Sequence, residues 1–165
     1  MHNQHIPISG GCLCGMIRFE SKEVPFQGYF CHCTICQRAY GSLFSATLRV
    51  PGSGFRFTKG EPKYYRATNF AKRGFCADCG SPMPFFYEGI SDVWIKIGSL
   101  DHPEDWPMTK DAPWGHSEHI HVDTRVAWER ISDGLPESTS TSNMLLLKVA
   151  EEHVAKRQQR PATEV

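Results

Sequence analysis

Three cysteines, Cys31, Cys33 and Cys36, fall within six consecutive positions of the string "FCHCTICQ". Thiolates are soft ligands, and three in one short segment can surround a metal ion without help from a distant strand. A closed tetrahedral shell needs four, so the fourth must come from elsewhere in the chain or from something other than protein. Cys76 and Cys79, in "FCADCGSP", have the Cys-x-x-Cys-Gly shape of a zinc knuckle, a tight turn that aims two sulfurs at one ion with Gly80 free to take positive φ. Cys12 and Cys14, in "GGCLCG", are two apart, so an extended strand would point both sulfurs to one face, and Gly10, Gly11 and Gly15 permit close backbone approach. Joining these two pairs makes a closed four-cysteine site, a structural zinc, that staples the start of the chain to its middle. Cys31, Cys33 and Cys36 are then left with one open position. A different partition, Cys31 and Cys33 with Cys76 and Cys79, would leave Cys12, Cys14 and Cys36 apart; the compactness of the three-cysteine segment favours the first. Two metals per chain are expected.

Zinc on three thiolates carries a formal charge of minus one. It is a weaker Lewis acid than zinc on three neutral imidazoles and is poorly suited to making hydroxide at neutral pH. A fourth thiolate is its natural partner, and coordination would deprotonate an incoming thiol. The open site therefore suits a thiol substrate, with Cys31, Cys33 and Cys36 as the residues that carry the chemistry.

The elements that position these ligands read as short strands. "GMIRFES" (15–21), "FSATLRV" (44–50), "GFRFTKG" (54–60) and "DVWIKIGS" (92–99) alternate apolar and polar residues between Gly and Pro breaks, which predicts antiparallel β structure. A short helix is expected to open at Thr34 as N-cap and run through "ICQRAYGS", ending at Gly41 and Ser42, and a single turn near "HPEDW". Residues 1–137 make one β domain, 138–143 ("STSTSN") a polar linker, and 144–160 a carboxy-terminal helix with a Glu152–Lys156 pair. At 165 residues, with 40% hydrophobic content, the chain can bury one sizeable core. Eighteen basic and eighteen acidic side chains cancel without a basic block, which argues against nucleic acid or an anionic membrane as partner. No stretch approaches the roughly 18 apolar residues a membrane helix needs, and "MHNQHIPISGG" has no apolar leader, so a cytoplasmic protein is expected. Seven cysteines, an odd number, are poor disulfide material in such a compartment and good metal ligands.

The ordered strings "GGCLCGMIRFE", "CHCTICQRAYGSLF", "GFCADCGSPM", "IKIGSLDHPED" and "HIHVDTRVAWERISDGLP" resemble the glutathione-dependent formaldehyde-activating enzyme family over residues 8–136. The resemblance implies a β-tent fold of short antiparallel sheets. It also implies a structural zinc on Cys12, Cys14, Cys76 and Cys79, and a second zinc on Cys31, Cys33 and Cys36. The implied reaction, of the carbon–sulfur lyase class, joins glutathione to formaldehyde or another small aldehyde to give S-hydroxymethylglutathione. The alternative from a different class is a non-catalytic zinc-stabilised β module that binds a protein partner; a homodimer through an edge strand or the tail helix is also expected.

Neighbouring residues are read conservatively. His32 lies between two ligands and points away from the metal, as a spacer or surface residue, if Cys31 and Cys33 share a face. Arg38, Lys72 and Arg73 could meet the carboxylates of glutathione, though solvated surface charge is the simpler reading. His119 and His121 read as an exposed strand face rather than a metal site. Trp94, Trp106, Trp114 and Trp128 read as core or pocket walls.

Overall fold

The computed structural model describes residues 7–140, together with Glu152 and Ala155, which are helical. The linker from 141 and the rest of the helix expected over 144–160 lie outside the described residues. The order of elements is β1 (Ile8–Gly11), β2 (Arg18–Ser21), β3 (Gln27–Cys31), α1 (Thr34–Tyr40), β4 (Ser45–Val50), β5 (Phe55–Lys59), β6 (Lys63–Thr68), β7 (Ala71–Phe75), β8 (Pro82–Tyr87), β9 (Val93–Lys96), β10 (His116–Ile120) and β11 (Glu137–Ser138). The chain is mainly β, as its alternating segments predict. A single turn of 3-10 helix forms at Pro103–Asp105, within "HPEDW".

The strands form two sheets, a three-stranded one ordered β1-β2-β5 and an eight-stranded one ordered β11-β10-β3-β4-β9-β8-β7-β6. Pairing is antiparallel except where β10 lies between β3 and β11, parallel to both, a departure from the all-antiparallel expectation. The long excursion from β3 to β10 makes that parallel return possible, since parallel neighbours need a long crossover.

Period-two alternation sorts the central strands onto two faces. Leu48 and Val50 of β4 and Val93 and Ile95 of β9 are buried against Ile8 and Phe19 of the small sheet, so one core lies between the sheets. The opposite face carries Tyr29, Cys31, Phe85 and Trp94, packed with Cys36 and Tyr40 of α1. Trp106 and Trp114 stack edge-on in the first core, 6.2 Å between centroids. Trp128 departs from the expected core role and stands 71% exposed.

Candidate metal centres

Cys12 and Cys14 follow β1 in a turn rather than on an extended strand, contrary to the sequence reading. The chain reverses there because Gly15 N–H returns to Cys12 O and Cys12 N–H reaches Ile17 O. Cys76 and Cys79 occupy the β7–β8 turn, where Gly80, at φ 76°, closes the knuckle by donating to Cys76 O at 2.9 Å. All four sulfurs lie within 4.8 Å of one another. Tetrahedral zinc with bonds of about 2.3 Å separates its sulfurs by about 3.8 Å, and the Cys12–Cys14 and Cys14–Cys76 sulfurs are 3.5 and 3.8 Å apart. The donor set fits a closed metal site that ties the small sheet to the β7–β8 hairpin of the large one. Ile17 N–H donates to Cys12 Sγ at 3.2 Å, and the Ser81 hydroxyl, 3.2 Å away, with backbone N–H groups draws the Cys79 thiol down to about 6. Both contacts favour thiolates.

The second group gathers Cys31, Cys33 and Cys36, their sulfurs also within 4.8 Å of one another, with no further His, Cys, Asp or Glu completing the set among the described residues. Cys31 ends β3, and Cys33, rather than Thr34, is the N-cap of α1, its sulfur accepting from Cys36 N–H at 3.3 Å. Thr34 thus begins the helix instead of capping it: a sulfur already fixed at position 33 fills the capping role. Gly41, at φ 58°, ends α1 in the left-handed region. Cys31 and Cys36 are buried and Cys33 is half-buried, which gives the trio one accessible side. Hydrogen bonds from Cys31 and Cys33 hold the Cys36 thiol well below its ordinary value, aided by Lys96 and Arg73.

Two cations stand beside this trio. Arg73 is 5% exposed, not solvated surface charge; it donates to Tyr40 Oη and, at 3.8 Å, to Cys36 Sγ. Lys96, 8% exposed, donates to Ser45 Oγ at 2.6 Å and Thr47 Oγ1 at 2.8 Å. Both stack on the rings of Tyr40 and Phe85, at 4.2 to 5.3 Å from the centroids. Neither has a carboxylate ion-pair partner among the described residues. Burial draws the Lys96 ammonium down to about 7, while the nearby Cys36 pulls it upward. Register explains the placement: Cys31 faces Ser45, Thr47 faces Lys96 and Arg73 faces Phe85 across paired strands, so all share one face. Lys96, Ser45 and Thr47 are absent from the sequence reading; the alternation of "FSATLRV" and "DVWIKIGS" marks their face, but as polar and therefore solvent-facing. Arg38 and Lys72 are exposed and separate from this group.

His32 points to the other side of the β3 end, away from the sulfurs, yet it is fully buried rather than a surface spacer. Its Nε2 meets His119 Nδ1 at 2.8 Å, and His119 Nε2 meets Asp133 at 2.9 Å. His119 is 5% exposed, so the expectation of an exposed strand face fails there: β3 and β11 flank β10 on both sides. His121 leaves the strand at φ 58° and contacts Ser140 at 3.1 Å.

A cavity of about 470 Å³ is lined by Tyr40, Ser45 and Lys96 on the large sheet's side and by Cys12, Leu13, Arg18 and Ser81 at the four-cysteine site. A second, of about 370 Å³, is lined by Tyr40 together with Tyr65 and Phe75. The three cysteines themselves line neither cavity; Tyr40, which packs with Cys31 and Cys36, and Ser45, paired with Cys31 across the strands, line the larger one.

A crystal structure of a Rhodobacter sphaeroides protein is similar to the chain at a TM-score of 0.46 and 22% identity, covering 56% of this chain and 87% of that one. The model of the family described as glutathione-dependent formaldehyde-activating enzyme matches residues 7–116 of the 165, most of the chain and all seven cysteines, and the chain belongs to that family.

Proposed function

We propose that the chain is a zinc-dependent enzyme of the carbon–sulfur lyase type that takes a thiol at Cys31, Cys33 and Cys36 and adds it to a small aldehyde. Glutathione and formaldehyde are the pair the family description names, and their product would be S-hydroxymethylglutathione. The observation that carries the reading is the converging sulfur trio with no fourth side-chain ligand among the described residues. Zinc, when bound, would supply an anchor that lowers the thiol's pKa. Charge supports the same reading. A zinc on three thiolates has a formal charge of minus one, and an added thiolate makes it minus two; the carboxylate-free Arg73 and Lys96 match that charge. Arg73 holds Cys36 in place through its N–H to sulfur. Cys12, Cys14, Cys76 and Cys79 would hold the structural zinc. A cytoplasmic setting, where thiols stay reduced, suits this chemistry.

The test is a cobalt-substituted sample titrated with glutathione. A shift of the thiolate charge-transfer bands at millimolar glutathione, together with formaldehyde capture faster than the spontaneous reaction, is the expected result. A spectrum that does not respond would instead favour a zinc-stabilised module that binds a protein partner.

A further inference from the structure

The hydroxyls and ammonium beside Cys31 have more hydrogens than they use on one another. Lys96 has three N–H bonds and spends two, on Ser45 Oγ and Thr47 Oγ1. Ser45 and Thr47 lie 3.2 Å apart, so one hydroxyl donates to the other. Thr47 is completely buried and does not line the cavity, whereas Ser45 and Lys96 do. The arrangement that strands no buried donor is therefore Thr47 donating to Ser45, which leaves the Ser45 O–H and the third Lys96 N–H without a hydrogen-bond acceptor among the described residues, beside the cavity that both residues line, the ammonium resting over the Tyr40 and Phe85 rings at 4.2 and 4.4 Å. These two donors sit on rigid central strands, on the face of the sheet that carries Cys31, with Ser45 directly across from it. Fixed donors at the place where negative charge develops are what stabilises an oxyanion.

We propose that Ser45 and Lys96, held by Thr47, form an oxyanion site that receives the carbonyl oxygen of the aldehyde as the thiolate adds to its carbon; this rests on the thiol reading above. The sulfur lone pair forms the C–S bond, the C=O π pair moves to oxygen, and that oxygen takes a proton from the Lys96 ammonium. The proton shed by the next thiol on capture returns to the Lys96 amine, so thiol and aldehyde sum to the hydroxymethyl thioether with no other reactant. Lys96 and Ser45 are catalytic residues in this scheme and Thr47 a positioning residue.

Lys96→Met keeps the unbranched stem as far as the ε position and removes the ammonium, and Ser45→Ala is the milder second variant should the first not fold. With the zinc-loaded protein, we expect kcat for glutathione and formaldehyde to fall about 100-fold or more in Lys96→Met and about 10-fold in Ser45→Ala. The glutathione titration of the cobalt form should stay within about two-fold of wild type in Ser45→Ala, whose charge is unchanged. Independently of the thiol, formate, a small carbonyl-bearing anion, should shift the Nζ resonance that Lys96→Met removes from the ¹⁵N-lysine spectrum. If wild type fails to respond to glutathione, the thiol reading falls while the formate shift still decides the oxyanion site. An unchanged kcat in both variants, or an Nζ resonance indifferent to formate, overturns the proposal.

Discussion

Cys76→Ser and Cys36→Ser each remove one sulfur, yet their consequences should differ because the two sites close loops of different length. Cys14 and Cys76 are 62 positions apart. Treating the metal as a cross-link, constraining a loop of that size is worth about 4 kcal/mol, against about 2 kcal/mol for the short loop from Cys31 to Cys36. For a chain of this length each kcal/mol moves the melting temperature by about 2–4 °C, so the expected losses are roughly 8–16 °C for Cys76→Ser and about 4–8 °C for Cys36→Ser. The first figure is a large share of the roughly 5–15 kcal/mol that holds a domain together, and Cys76→Ser should also expose the core between the sheets. Zinc per chain, measured by plasma emission, should fall from about two to about one in either variant. A calorimetric scan then separates them. Loss of both metals and of the fold in Cys36→Ser, with Cys76→Ser intact, would refute the division into one closed and one open site.

Leu48→Ala, at a position with no solvent exposure, should cost about 3 kcal/mol in a urea titration with little change of slope. His119→Leu removes the partner of His32 Nε2 and of Asp133 Oδ2 and should cost about 1–3 kcal/mol, read from the same titration. Gly41→Ala meets no neighbouring atom, so its penalty is backbone strain alone, about 1 kcal/mol in the melting curve. Arg18 and the Ser9 hydroxyl hold the Asp101 carboxyl below its ordinary 3.8. The pair's stabilisation is therefore present above pH 3.8 and lost as pH falls through the depressed value, and Arg18→Gln should flatten that acid limb in a stability–pH profile.

Cysteine spacing was legible because ligand count is whole-number arithmetic: a knuckle at Cys76 and Cys79 and a close pair at Cys12 and Cys14 leave three over, wherever the backbone runs. The alternating segments were legible as strands for a similarly local reason. What spacing could not convey is which polar face meets water. Ser45, Thr47 and Lys96 follow the same period-two rule as any solvated strand face, and only α1, laid back over β4 by the turn at Gly41, turns that face inward. Arg73 in "AKRGF" was hidden in the same way. His32 and His119 lie 87 positions apart, and their contact depends on a parallel return of β10 onto β3 that no local pattern announces. Sulfur replaced the expected hydroxyl as helix cap because the backbone at Cys33 already has the extended geometry that a cap requires.

The larger cavity borrows one wall from each sheet: Lys96 and Ser45 belong to the eight-stranded sheet, with Tyr40 of α1 laid on it, and Arg18 and the β1–β2 turn at Leu13 belong to the three-stranded one. The four cysteines converge at that junction, with Cys12 itself lining the cavity, so a metal held there would fix the spacing of the two walls. Loosening it would change the width of the chamber before any residue inside had moved on its own strand.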